Sequence, residues 1–159
     1  MRAFVVTVGA ILISTRAFAA DPYDTKELES LNWALYKRTI NLSAAFQNFD
    51  PVFSRQGKFY QNLLDQLNTA HYAAEEYAAV DRLIRSNREP LAENVFRRNG
   101  AYRMRQICYI ANLKVTDLAE NNSVPGTKVD VAQIAGAVGS ICTELDRLWN
   151  AEEPPRSNP

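Results

Sequence analysis

Three interruptions constrain what this chain can fold into: Asp50-Pro51, Glu89-Pro90 and the turn-forming run AENNSVPGTK from Ala119 to Lys128. Between them lie long stretches whose apolar residues recur every three or four positions, the spacing of a helix that buries one face. None reads as a strand. The first segment runs from Asp24, with Glu27 as a capping-box candidate, to Phe49, where a residue before proline disfavours the helical region. The second begins after Pro51 or after Gly57 and continues to about Ser86, with Tyr60, Leu63, Leu64, Leu67, Ala70, Ala74, Tyr77 and Ala78 on one face.

The third segment begins near Pro90, a residue suited to a helix's first turn, and reaches about Glu120, although Asn99-Gly100 is a potential break. In the fourth, Val131, Ile134, Ala135, Val138, Ile141, Cys142, Leu145, Leu148 and Trp149 mark the buried face. Four amphipathic helices joined by short turns predict an all-α, up-down-up-down four-helix bundle. The bundle domain is expected over residues 21–151, and the tail 152–159, EEPPRSNP, is expected to be disordered.

The opening residues have a different character. Arg2 precedes an apolar run from Phe4 to Ile13, and Ala17-Phe18-Ala19 fits a small-x-small cleavage site, so residues 1–20 are expected to be a cleaved signal peptide. The run is too short for a bilayer span of roughly 20 residues, and no other segment is apolar enough to cross. The expected location is the periplasm of a Gram-negative bacterium, or outside the cell. The sequons at Asn41-Leu42-Ser43 and Asn121-Asn122-Ser123 leave eukaryotic secretion open. Losing Arg2 and Arg16 takes the 18 basic residues to 16 against 18 acidic ones, a net charge of 16 − 18 = −2. That balance gives no reason to expect nucleic acid as a partner.

Export also bears on the two cysteines. If the turn before the last helix centres near Val124 and Pro125, Cys108 and Cys142 lie about equally far from it and hence at one height. At about 100° per residue, Cys108 shares a face with Met104, Ile107, Ala111, Val115 and Leu118, and Cys142 falls inside the apolar stripe of its own helix. Small residues nearby (Ala111, Ala135, Gly139) allow the close approach a disulfide needs. A Cys108–Cys142 disulfide is therefore expected.

Catalytic and cofactor signals are sparse. His71, the only histidine, has Glu75 one turn on, a pairing that serves a metal site or a proton relay but more often a hydrogen-bonded histidine at the core boundary. Di-iron bundles need a second Glu-x-x-His motif, which one histidine does not supply. There is no C-x-x-C-H, no phosphate-binding glycine loop and no nucleophile motif, and Met104, the only methionine after the leader, sits on a core stripe. No metal or cofactor is expected, and an enzyme lacks support.

Surplus helix faces are the stronger signal. On the third helix Leu91, Val95, Arg98, Tyr102, Arg105, Tyr109 and Leu113 form a second stripe, expected on the side roughly opposite Cys108. Within it, Arg98, Tyr102, Arg105 and Tyr109 alternate guanidinium with phenol, a ladder that can stack internally by cation–π contact and that presents the residue types enriched at interface hot spots. On the first helix Leu28, Leu31, Leu35, Leu42, Phe46 and Phe49 read as core, leaving Trp33, Tyr36 and Ile40 on another side. Such stripes are covered by a splayed bundle or by a short helix over 51–57, or they bind another protein or a second copy of the chain.

The arginines at 82, 85, 88, 97, 98, 103 and 105 are a local concentration, diluted by Asp81, Glu89 and Glu93, whose ordinary reading is a solvated face. The leading functional expectation is an exported, non-enzymatic protein-interaction module, such as an inhibitor, immunity, chaperone or assembly accessory protein. The alternative is a small-ligand or cofactor-binding bundle with its pocket near His71, Tyr77 and Met104.

Overall fold

The computed structural model describes residues 24–87 and 90–152, with the side chains of 87, 90–98 and 152 left aside. The expected signal peptide and all of the expected tail beyond Glu152 lie outside the described residues. Four helices follow in order: α1 (Lys26–Phe46), α2 (Arg55–Asn87), α3 (Pro90–Glu120) and α4 (Lys128–Glu152). Each packs against two neighbours, α1 on α2 and α4 and α3 on α2 and α4, while α2 and α4 also meet across the diagonal. This is the four-helix bundle that the periodicity predicts. No helix among the described residues is long and apolar enough to cross a membrane.

The core is built from the expected stripes. Leu28, Leu35, Leu42 and Phe46 of α1 meet Leu63, Leu67, Ala70, Ala74 and Tyr77 of α2, while Met104, Cys108, Ala111 and Val115 of α3 meet Val131, Ile134, Val138, Ile141, Leu145 and Leu148 of α4. At the α1–α2 end, Phe46 stacks on Tyr60 with ring centroids 4.5 Å apart. Burial there pushes the Tyr60 hydroxyl above its ordinary pKa, partly offset by its bond with Ser43. Near the opposite end of the core, Glu144 is buried and grips the Arg147 guanidinium through both carboxylate oxygens, at 2.6–2.9 Å. That bond raises the Arg147 pKa.

Several boundaries differ from the expected ones. α1 starts at Lys26, and in place of a capping box the Asp24 carboxylate accepts the Lys26 N–H at 3.1 Å. It stops at Phe46, three residues before Phe49, whose N–H closes a tight turn onto the Phe46 carbonyl. Residues 51–53 form a turn with Ser54 after it, so no short helix over 51–57 covers either stripe. The reason lies in Asp50, whose Oδ1 accepts the N–H groups of Val52 and Phe53, both at 2.8 Å. Ser54 then caps α2: its hydroxyl donates to the Asp50 carbonyl and accepts the Gly57 N–H. α3 runs unbroken through Asn99-Gly100.

Between α3 and α4 the chain turns through Val124-Pro125-Gly126-Thr127, with proline fixing one corner and Gly126 at φ +77°, a conformation L side chains resist. Thr127 is buried, and its hydroxyl ties the turn together by donating to the Val124 carbonyl and accepting from the Asn122 amide.

The disulfide joins Cys108 to Cys142 with their Cα atoms 5.5 Å apart. Ala111 is wholly buried beside it, and a Cβ added to Gly139 would lie 3.6 Å from the Asn112 side chain, so small residues do line the approach. Replacing both cysteines by alanine is expected to lower stability by about 3–4 kcal/mol, by loop-closure entropy. Urea unfolding followed by circular dichroism measures it, with the helical signal in dilute buffer retained.

Gly57 and Gly100 make a contrasting pair. A Cβ at Gly57 would overlap the Asp50 carbonyl, whereas at Gly100 it would only touch Val80 at 3.9 Å. Gly57→Ala is expected to destabilise by roughly 1–3 kcal/mol through the clash, and Gly100→Ala to stabilise by about 0.5–1 kcal/mol. Thermal melts of the two variants should shift in opposite directions.

Candidate functional site

Two surfaces carry the surplus side chains, one on α3 beside α4 and one between α1 and α2. The α3 stripe stands beside the disulfide and not opposite it. Arg105, Gln106, Tyr109 and Ile110 line a groove of about 480 Å³ whose other wall is Cys142 and Asp146 of α4. The physical reason is angular: at 100° per residue Arg105, Tyr102 and Tyr109 lie about 60–120° around the helix from Cys108, which places them on the flank that meets α4.

Arg105 does not stack along its own helix with the tyrosines. It pairs with Asp146, and its guanidinium lies over the Trp149 ring, 4.5 Å from the centroid. Tyr102 meets the same indole at 6.4 Å, tilted. The expected ladder is thus a clasp between α3 and α4. Tyr102 is held further by the Gln106 amide, which donates to its hydroxyl at 2.7 Å. Arg98 is helical in α3, but its side chain, with those of Leu91 and Val95, lies outside the described ones.

What remains open on α3 is aromatic and aliphatic. Tyr102 (48% exposed), Tyr109 (60%), Ile110 (54%) and Leu113 (53%) follow one another over three turns of the outer face. Ile110 was not among the residues expected from the sequence. It falls off the strict three-and-four stripe, yet on a helix it neighbours Gln106 and Leu113.

Trp33, Tyr36 and Ile40 of α1, set apart from its core stripe by spacing, are exposed. Trp33 stacks on Tyr36 at 5.5 Å and Tyr36 on His71 at 5.9 Å, with Lys37 over the indole at 5.2 Å. His71 Nδ1 lies 2.7 Å from the Asn32 side-chain oxygen, and its Nε2 lies 3.3 Å from Glu75. The histidine is therefore a hydrogen-bonded link at the core boundary. Asn32, Trp33, Tyr36, His71 and Glu75, with Glu29, Ala74, Ala78 and Arg82, line a groove of about 540 Å³ that does not include Tyr77 or Met104, both of which are buried in the core.

Three of the four described side chains in the local concentration of arginine are engaged. Arg82 pairs with Glu29 at 2.6 Å, Arg85 with Asp81 at 2.7 Å and Arg105 with Asp146. Arg103 is exposed and has no ion pair among the described residues, and Arg88, Arg97 and Arg98 have no described side chains. Asp81 and Glu144, the buried carboxylates, each hold an arginine. Among the described residues no three or more His, Cys, Asp or Glu side chains converge as a metal site.

A further exposed pair, Val52 (60%) and Phe53 (86%), stands at the α1–α2 turn. It escaped sequence reasoning because a helix over 51–57 would have hidden part of it. The chain matches no protein-family model, and no curated protein or solved structure shows significant similarity to it.

Because Arg105 is an interhelical contact, Arg105→Glu is expected to act on stability. It places a carboxylate beside Asp146 and removes the stacking on Trp149, at a cost of about 1–2 kcal/mol. A lowered melting temperature for Arg105→Glu, with little change for Lys58→Glu at an exposed position of α2, is the expected result of differential scanning fluorimetry.

Proposed function

We propose that this protein is an exported, non-enzymatic protein-interaction module that engages its partner through the outer face of α3. The observation that carries this reading is the cluster Tyr109, Ile110 and Leu113, each more than half exposed, with Tyr102 two turns earlier on the same side of the helix beyond Gln106. Isolated exposed apolar residues are ordinary on a protein surface, but several grouped on one helix face are the kind of patch that marks an interface. Tyrosine and a long aliphatic side chain bury much area for little ordering cost. The disulfide supports an oxidising compartment, since such bonds persist there.

The rigid support beneath the patch fits the same role. Below Tyr109 the disulfide ties α3 to α4, and beside it Arg105 clasps Asp146 and Trp149, so the face is presented without further ordering. An inhibitor, immunity protein, chaperone or assembly accessory would all use such a surface. The α1–α2 groove supports a second reading, a small-ligand site, because Trp33, Tyr36 and His71 line a concave surface together with Glu29, Glu75 and Arg82.

The test is affinity capture from an extract of the native compartment, with wild-type protein compared against Tyr109→Glu/Leu113→Glu. Both substituted side chains are exposed, so the variant is expected to melt within a few degrees of wild type. A protein, or further copies of the chain, retained by wild type and lost from the variant is the expected outcome. Equal retention by both would remove α3 from the interface and bring the groove reading forward.

A further inference from the structure

The α3 face is self-complementary about Ile110. Arg103 lies seven residues before it and Asp117 seven after; Gln106 lies four before it and Lys114 four after. All of these are exposed on the outer side of the helix, and Arg103 has no ion pair among the described residues. Laid antiparallel on a second α3 with a two-fold axis through Ile110, each Arg103 meets Asp117 of the other copy and each Gln106 meets Lys114. Laid parallel, the same helices would set Arg103 against Arg103 and Asp117 against Asp117. The antiparallel arrangement centred on Ile110 thus pairs opposite charges at both ends, which the in-register parallel one does not.

That register has a consequence on α4 that the charges did not dictate. The disulfide holds Cys108 and Cys142 at one height on antiparallel helices, so Ser140 stands level with Ile110 and Gly139 level with Ala111. The residues of α4 beside the axis are thus Gly139, Ser140 and Thr143. Side chains this small leave room for the second copy to sink toward the α3–α4 groove, where Tyr109 and Ile110 of each chain would be covered.

We propose that the partner of the α3 face is a second copy of this chain, bound as an antiparallel two-fold dimer centred on Ile110. A closed two-fold contact covers Tyr109, Ile110 and Leu113 on both chains at once and leaves no edge for further growth. The proposal rests on the reading of α3 as the interaction face and gives it an occupant.

Sedimentation equilibrium of the full mature chain tests it, at concentrations up to roughly 100 µM, where a micromolar contact is nearly saturated. The expected mass is that of two chains. Arg103→Asp should weaken the dimer about tenfold by placing two acids together at each end, and adding Asp117→Arg should restore it. In parallel, Ile110→Cys should form an interchain disulfide on mild oxidation far faster than Tyr72→Cys, an exposed position on α2.

A one-chain mass throughout would overturn the proposal. So would a dimer that ignores both charge variants and links no faster through residue 110 than through residue 72. These results are separable from failure of the interface reading itself. A monomer that still captures a different protein, lost from Tyr109→Glu/Leu113→Glu, keeps α3 as the interface and removes only the second copy; a monomer that captures nothing removes both.

Discussion

The link between Cys108 and Cys142 is the constraint on which the rest of the molecule's surface depends. It fixes the height of α3 against α4 and requires the two backbones to stand close. Closeness in turn demands small residues at the seam, Ala111 on one side and Gly139 on the other. Larger side chains are displaced from the seam to its edge, and there Arg105, Tyr109 and Asp146 form the walls of a groove above the bridge. The cross-linked seam and the exposed apolar side chains of α3 are two sides of one arrangement.

Much of this was legible in the chain because helical periodicity and turn chemistry are local. The core stripes of α2 and α4, the Val124-Pro125-Gly126 turn and the pairing of the cysteines each follow from spacing and from residues whose backbone preferences are narrow. Helix ends were less legible. The Asp50 side chain competes with helix formation by accepting two backbone N–H groups, and Ser54 takes over as the cap, so α2 starts between two plausible positions and residues 51–53 stay a turn. Asn99-Gly100 is the opposite case: a sequence pair that marks turns elsewhere is carried inside a helix, with Ala101 wholly buried next to it.

The surface stripes were found, but their partners were not, because periodicity gives a residue's angle on its own helix and says nothing about what a neighbouring helix offers. Arg105 illustrates this. Its spacing from Tyr102 and Tyr109 suggests stacking along α3, yet Asp146 and Trp149 on α4 provide a carboxylate and a larger ring within reach. An indole face and an ion pair together outweigh contact with a solvated phenol. His71 is a comparable case: Glu75 on its own helix was visible from spacing, whereas Asn32 and Tyr36 on α1 were not.

The two surfaces differ in how far they satisfy themselves, and that difference favours the α3 face over the α1–α2 groove in the proposed reading. Between α1 and α2 the polar groups are largely matched: Arg82 with Glu29, His71 with Asn32 and Glu75, and the rings of Trp33 and Tyr36 with each other. On α3, once Arg105 has turned to α4 and Tyr102 has accepted a bond from Gln106, Tyr109, Ile110 and Leu113 are left facing water with apolar carbon. Burying three such side chains is worth roughly 1.5–3 kcal/mol each when complete. A bundle with a complete core and a cross-linked seam gains nothing for its own fold by leaving them out, which supports the proposal that the outer face of α3 docks another molecule.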